Sequence, residues 1–342
     1  MVLDMSQQPD QKQTTQRDKQ ATLSKFGSQI IPSMVLAPSA HNTQPWRFVS
    51  HHNHVDVLID WDRHLDVSDP TTRQLFVSLG CALENGVIAA QHWGYQAKVD
   101  YFPKGDEKGR PVARITAIAD NQSIKGIDQL FDAIEARRTN RHNYDEQPLS
   151  TQEKLALSHQ SDHVVFVEDE HRLNKIAELS ALATEKTLSR ADFKQELSKW
   201  VRNSFTRRSD GMPGYAMGMP APISLFSSLL VRIAPIHKQE APKVKQQITT
   251  SSAAAVITSA EDNPAGWMDA GRLLERLWLE ASKAGLAAAP LASAIEAGAD
   301  IRSDLKQSLG TSEYPQAILR IGHSAKNHLQ STPRRSLADA LA

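Results

Sequence analysis

Residues Arg73 to Gly94 read RQLFVSLGCALENGVIAAQHWG, and this stretch decides the fold class. Leu75, Leu79, Leu83, Val87 and Ala90 recur every three or four residues, the spacing of one buried helix face, and Gly94 stands where a C-terminal cap belongs. The pattern then returns. Gly80, Leu83, Glu84, Ala90 and Gly94 recur at the same spacing as Gly271, Leu274, Glu275, Ala281 and Gly285. Each set follows a strand-like run, Val55 to Ile59 and Ala253 to Ile257, and Arg114-Ile115 is echoed by Arg320-Ile321. Two amphipathic helices with glycine caps can look alike by chance. The alternative is a fused pseudo-dimer, two copies of one α+β unit packed face to face.

The flanking segments supply the rest of each unit. Trp46 to Asp60 predicts two short strands around the polar turn His51-His52-Asn53-His54, and Ala97 to Phe102 and Val112 to Ala119 predict two more. A helix from Gly126 to about Arg138, a strand at His163 to Val167 and a long helical region from about Glu170 to Arg207 open the second unit. The Gly/Met/Pro-rich run Ser209 to Pro222 predicts a lid-like loop, because long loops without structure of their own are usually functional or disordered. The expected organisation is a disordered polar tail over 1–22, a first domain over 23–122 and a second over 123–342.

At 342 residues the chain is long enough for about two domains. Lys plus Arg and Asp plus Glu both total 39, so no overall field favours nucleic acid or an anionic membrane. A single cysteine, Cys81, excludes an intrachain disulfide and a cysteine-based zinc site, as in a reducing compartment. The chain start lacks a secretory pattern. The longest apolar run, Ser224 to Ile236, carries Arg232 and falls short of the roughly 20 residues that span a bilayer. A cytoplasmic location is expected, with neither nucleic acid nor membrane as partner.

Three polar constellations are candidates for chemistry. Pro38-Ser39-Ala40-His41-Asn42-Thr43-Gln44-Pro45-Trp46 packs hydroxyl, imidazole and amide groups between prolines that forbid regular structure. It is suited either to binding the edge of a polar ring or to capping itself as a turn. Arg137-Arg138-Thr139-Asn140-Arg141 sets guanidiniums and a hydroxyl at alternate positions, suited to a phosphate, although arginines also gather at helix C-termini merely to complement the dipole. Thr332-Pro333-Arg334-Arg335-Ser336 alone reads as a solvated basic tail.

Together these strings resemble the nitroreductase family, flavin enzymes whose FMN lies at a dimer interface. Its Arg-x-Ser-x-Arg/Lys motif has a counterpart in Arg137-Thr139-Arg141, its Pro-Ser-x-x-Asn-x-Gln-Pro-Trp motif in Pro38 to Trp46, its Gly-Leu…Pro segment in Gly285-Leu286…Pro290, and its basic pair in Arg334-Arg335. In an ordinary member the arginine motif comes first. Here it opens the second half, which resembles the Acg-type branch, in which two nitroreductase-like domains are fused. The resemblance implies an α+β fold of two tandem domains, each a mainly antiparallel sheet flanked by helices, packed as an intramolecular pseudo-dimer, in a monomer or a homodimer of such chains.

For the site, the resemblance implies FMN held by Arg137, Arg138, Thr139 and Arg141, with Arg334 or Arg335 completing the phosphate site. Pro38, Ser39, Ala40, Asn42 and Gln44 would line the ring. Pro290, Leu291, Ala292 and Ser293 would run along its opposite edge and present a backbone N–H to flavin N5; the family's acidic residue and glycine are replaced there by Ala292-Ser293. The implied function is an FMN-dependent oxidoreductase in which the flavin itself carries the chemistry, with NAD(P)H or a small aromatic acceptor as partner. The alternative is an FMN-binding or storage protein whose lid closes the site. One FMN per chain is expected, since Ala21 to Ala37 holds no arginine from which a reciprocal site would be built.

Other chemistries lack their patterns. No Gly-x-Gly-x-x-Gly follows a strand, and no Walker A loop is present. None of the 13 histidines stands in His-Glu-x-x-His spacing, so no metal is expected. Ser39 near His41 lacks the glycines of a nucleophile elbow.

Overall fold

The computed structural model describes residues 23–119, 126–158, 161–326 and 329–342. The expected tail over 1–22 and the expected boundary between 122 and 123 lie outside the described residues. The first half comprises α1 (Lys25–Met34), β1 (Trp46–Ser50), β2 (His54–Ile59), α2 (Arg73–His92), β3 (Tyr95–Tyr101) and β4 (Ala113–Ala119). There follow α3 (Ile127–Ala136), α4 (Thr151–Ser158), β5 (Val164–Val167), α5 (Glu170–Leu188), α6 (Ala191–Trp200), β6 (Val201–Arg202) and β7 (Met212–Pro213). Then come α7 (Ala221–Ser224), α8 (Ser227–Ile233), α9 (His237–Thr249), β8 (Ala253–Ser259), α10 (Pro264–Lys283) and β9 (Ala287–Leu291). The chain ends with α11 (Ser293–Glu296), α12 (Ala299–Leu309), β10 (Tyr314–Gly322) and α13 (Leu337–Ala340).

The architecture is α+β. Two antiparallel four-stranded sheets have the orders β1-β2-β4-β3 and β5-β8-β10-β9. In both, the strand before the long helix sits second and the last strand third. β8 is buried on every residue, and its Ala253-Ala254-Ala255 run lets helices approach both faces, as expected of a sheet covered on both sides. In the first sheet Phe48, Val55, Val57 and Ile115 face the core, while Arg47 and Ile118 stay exposed.

The two long helices meet at the glycines that mark the repeat. A Cβ on Gly80 would lie 2.2 Å from the Met268 carbonyl oxygen and 2.8 Å from the Gly271 Cα, and one on Gly271 would lie 2.1 Å from the Val77 carbonyl oxygen. Only hydrogen fits where one backbone crosses the other. Cys81 Sγ donates to the Gly271 carbonyl across the same crossing, at 3.2 Å. A single apolar core joins both halves around it, through Trp46, Phe48, Leu79, Leu83, Leu277 and Trp278.

Three elements differ from the sequence reading. The long helical region breaks at Ser189-Arg190 and again after Trp200, with no glycine or proline to announce it. The turned α6 brings the Glu196 carboxylate under the backbone N–H groups of Val67 and Ser68, at 2.9 and 2.8 Å. The run Ser209 to Pro222 is not wholly irregular: Met212–Pro213 pairs in parallel with Val201–Arg202, and Gly214–Met217 forms one 3-10 turn. The basic C-terminal string is no solvated tail either. It returns to the first sheet, where the Ala342 N–H donates to the Phe48 carbonyl at 3.0 Å.

Candidate functional site

The Pro38 to Trp46 segment is a strained turn held open by its own amides. His41, Asn42 and Gln44 have φ of 48°, 55° and 55°, a region that side-chain-bearing residues enter only when their surroundings over-determine them. Those surroundings are visible. Asn42 Nδ2 donates to the carbonyls of Gly211 and Pro333, both at 3.0 Å, and its Oδ1 accepts from Arg334 Nη1 at 3.1 Å. Gln44 Nε2 donates to the Ser209 carbonyl at 2.8 Å, and Gln44 Oε1 accepts from the Arg335 N–H at 2.8 Å. Ser39 Oγ accepts from the Gln44 N–H at 2.9 Å. The turn, the 209–213 stretch and the 333–335 stretch are thereby tied into one knot.

His41 is the exception within that knot. Its Nδ1 is buried without a hydrogen-bond partner among the described residues. Burial pushes the imidazole down to about 4, so it is neutral at physiological pH and has an unspent donor or acceptor.

The arginines are divided between structure and cavity. Arg137, which caps the end of α3, places Nε 3.2 Å from Glu275 Oε1, donates from Nη2 to the Leu36 carbonyl at 3.2 Å and stacks 4.3 Å over Trp278. Among the described residues, Arg138 donates to the Glu135 and Arg137 carbonyls, Arg141 to the Ala216 carbonyl at 3.1 Å, and Arg334 to the Leu36 and Pro333 carbonyls, Thr332 and Asn42. Among the described residues, none of these last three guanidiniums has a carboxylate within ion-pair distance. Burial and then Arg137 hold Arg138 below its ordinary value, burial lowers Arg141, and burial with Arg137 brings Arg334 down to about 9. All three keep their protons at neutral pH. The depression records chiefly the cost of withdrawing each charge from water, offset in part by the partly exposed Glu240 at Arg141 and by Glu275 at Arg334; an anion would relieve the rest.

These groups surround a cavity of ≈ 710 Å³, within the range of small-molecule and cofactor sites. Pro38, Ser39, His41 and Asn42 line it from one side, Arg137, Arg138, Thr139 and Arg141 from another, and Arg334 from the returning C-terminus. Met212 and Tyr215 to Gly218 close over it, with Tyr215 Oη donating to the Ser331 carbonyl at 3.0 Å. The structure thus brings the three sequence constellations to one place.

Several expected residues stand elsewhere, for identifiable reasons. Gln44 is fully buried and spent as a strut. The Arg335 guanidinium donates to the Gln44 and Trp46 carbonyls and lies 3.2 Å from Asp60 Oδ2, fastening the C-terminal string to the first sheet rather than facing the cavity. The Ala40 N–H points to Ser78 Oγ on α2, at 3.4 Å. Pro290 and Leu291 pair with Leu319 and Ile318 at a sheet edge, Ala292 caps α11, and Ser293 Oγ donates to the Ser180 carbonyl. None of these four lines the cavity.

Sequence reasoning also missed contributors. Lys243 and Tyr215 line the cavity, and nothing in their local sequence marks them. Arg320 is 1% exposed and donates to the carbonyls of Gln247, Asn140 and His142, at 3.0, 2.7 and 2.9 Å, thereby positioning the arginine segment. Its echo of Arg114 was a signal, although Arg114 itself grips Asp56 at 2.6 and 2.9 Å. That grip bears on the one cluster of candidate metal ligands among the described residues. His51, His54 and Asp56 have ligand atoms within 4.8 Å of one another, but a cation there would have to displace the Arg114 guanidinium. A second cavity, ≈ 660 Å³, lies against α2 and α10 and is lined by Glu84, Arg272, Arg276, Asp269 and Glu261 among others.

Comparison with known proteins supports the resemblance read from the motifs. No family model matches the chain. It is 26% identical over 319 residues to "Putative NAD(P)H nitroreductase Rv3131" of Mycobacterium tuberculosis, covering 91% of this chain and 90% of that protein. It is likewise 26% identical over 309 residues to "Putative NAD(P)H nitroreductase acg" of the same organism, covering 88% and 90%. Among solved structures, the FMN-dependent nitroreductase NfnB of Mycobacterium smegmatis, in complex with NADPH, aligns with 63% of this chain and 97% of its own at 17% identity and a TM-score of 0.42. The resemblance to nitroreductases, the Acg-type proteins among them, therefore runs along about nine-tenths of the sequence. Among the described residues, no helix is long and apolar enough to cross a membrane.

Proposed function

We propose that the ≈ 710 Å³ cavity binds one FMN per chain and that the protein is an FMN-dependent oxidoreductase acting on a small electron-poor acceptor. One observation carries this reading: Arg138, Arg141 and Arg334 converge without carboxylate partners on a cavity whose other wall is the strained Pro38 to Asn42 turn. A doubly charged phosphate suits that set of cations, each charge-assisted contact being worth roughly 1.5–3 kcal/mol. Thr139 would meet the polyol chain. The Pro38 to Asn42 turn, with the unspent Nδ1 of His41, would meet the polar edge of the ring. Arg137, already committed to Glu275 and Trp278, would act by holding the segment in place. Bound FMN supplies hydride or electron transfer; this chain's residues anchor and orient it and exclude water.

A storage role is the second reading. It rests on the way Met212 to Gly218 is tied down over the cavity, through Asn42 to Gly211, Arg141 to Ala216 and Tyr215 to Ser331. Anaerobic addition of NADPH to the FMN-loaded protein separates the two. Rapid bleaching of the flavin absorption is the result expected of the oxidoreductase, and retained, unbleached FMN is that expected of storage. Failure to retain any FMN overturns both.

A further inference from the structure

We propose that the surface built by Phe205 and α7–α8 docks on an anionic lipid bilayer. Twelve large apolar side chains are exposed among the described residues, and six of them fall between 205 and 233: Phe205, Ile223, Leu225, Phe226, Leu229 and Ile233, each at least half exposed. They form one patch rather than a scatter. The Ser204 N–H donates to Ser224 Oγ at 2.9 Å, which sets Phe205 beside the α7 end, and Ser228 Oγ donates to the Ser198 carbonyl at 2.9 Å, which lays α8 along α6. Ser227 and Val231 are the buried side of α8. Phe226, Leu229 and Ile233, spaced three and four apart, are its outward side. Monomeric soluble proteins seldom leave such a contiguous apolar face uncovered.

Charge identifies the occupant. Between Lys199 and Lys238 stand six lysines and arginines against the single acid Asp210, in a chain whose overall balance is zero. Asp210 is consumed by Arg63, Arg202 and Arg208. Lys199, Arg207, Arg232 and Lys238 are exposed. Exposed apolar side chains interleaved along the chain with exposed basic ones are the composition of an interfacial, non-spanning membrane contact, in which apolar groups enter the headgroup boundary and the cations meet anionic lipid. A second copy of the chain fits less well, since a two-fold contact through this face would set each copy's arginines against its partner's. The neutrality of the whole sequence, which argued against a membrane partner, averages this local surplus away.

Vesicle co-sedimentation of the full chain tests the proposal. The wild-type protein should sediment with phosphatidylcholine vesicles containing phosphatidylglycerol and not with phosphatidylcholine alone, and the binding should weaken as salt is raised. Phe226→Ser with Leu229→Ser, and separately Arg207→Glu with Arg232→Glu, should each cut binding by about tenfold or more with the melting temperature unchanged. Absence of wild-type binding at low salt overturns the proposal, as does binding indifferent to the serine pair. A concentration-dependent dimer dissolved by the serine pair, without vesicle binding, would assign the face to a second copy instead.

Discussion

Glu84 and Glu275 stand at the same place on α2 and α10, yet their surroundings divide one cavity from the other. Glu84 receives Arg276 Nε at 2.6 Å and Arg272 Nε at 3.0 Å, both from the opposing helix. Among the described residues the one ion-pair partner of Glu275 is Arg137, at 3.2 Å, and burial raises its carboxyl to about 6 against the pull of Arg137 and Arg334. Beyond Glu84 lie the further acids Asp269 and Glu261, so that cavity carries at least as many negative groups as positive ones. Beyond Arg137 lie Arg138, Arg141, Lys243 and Arg334, with Glu135 as the acid on the cavity wall. Two frames with the same strand order and the same helix crossing are thus made unequal by which arginines are already spent. Of the two, the cavity at Arg138, Arg141 and Arg334 carries the surplus of positive charge that a phosphate would need.

The largest effect is expected at the crossing that both frames share. Gly271→Ala would drive a Cβ to 2.1 Å from the Val77 carbonyl, a backbone atom that cannot swing aside. Overpacking of this kind typically costs about 1–3 kcal/mol, and this contact belongs at or above the upper end. Urea unfolding should show a loss of about 3 kcal/mol; a loss below about 1 kcal/mol would mean that the helices separate easily and that the halves are less rigidly coupled than the structure shows. Glu84→Gln comes next. It strands Arg272 and Arg276 around a buried carbonyl, and because both guanidiniums are about 30% exposed the cost should be about 2 kcal/mol rather than the 3–5 of a fully buried pair.

Arg334→Ala sharpens the contrast between the cavities. It should weaken FMN binding by one to two powers of ten in equilibrium titration, corresponding to roughly 1.5–3 kcal/mol. Arg276→Ala, at the other cavity, should leave FMN affinity unchanged. Equal losses in the two variants, or a flavin-to-protein ratio near two after denaturation, would break the comparison.

Much of the frame was legible because helix periodicity and backbone crossings are written locally. The apolar spacing in Arg73 to Gly94 placed α2 to within a residue, and the paired glycines of the repeat are the ones in contact. The site was legible only as a set of strings. Which arginine stays free is decided by Glu275, far along the chain, and Gln44 and Arg335 looked like ligands because their role as struts depends on where the C-terminus returns. The break between α5 and α6 was invisible because what turns the chain is Glu196 reaching Val67 and Ser68. Pro290 to Ser293, expected along the ring's edge, stand outside the cavity lining for the same reason: a backbone edge was read from a motif, while the position of Pro290 and Leu291 is set by sheet pairing with β10.

The smallest effect is a slope with pH, and it separates the two glutamates most finely. A carboxyl raised to about 6 in the folded protein, against an ordinary 4.5, binds its proton more tightly folded than unfolded. Its contribution therefore favours the folded state at low pH and is lost as pH rises from about 4.5 through about 6. Glu275→Gln removes that titration while Asp69 and Glu296, which burial also raises, titrate alike in both proteins and cancel from the difference. The stability of Glu275→Gln relative to wild type should therefore move in the variant's favour across this window, by at most about 2 kcal/mol. Urea unfolding of both proteins on either side of the window measures it. A pH-independent difference would mean that Arg137 holds Glu275 ionised throughout, and that the acid behind the cationic cavity is as firmly paired as Glu84.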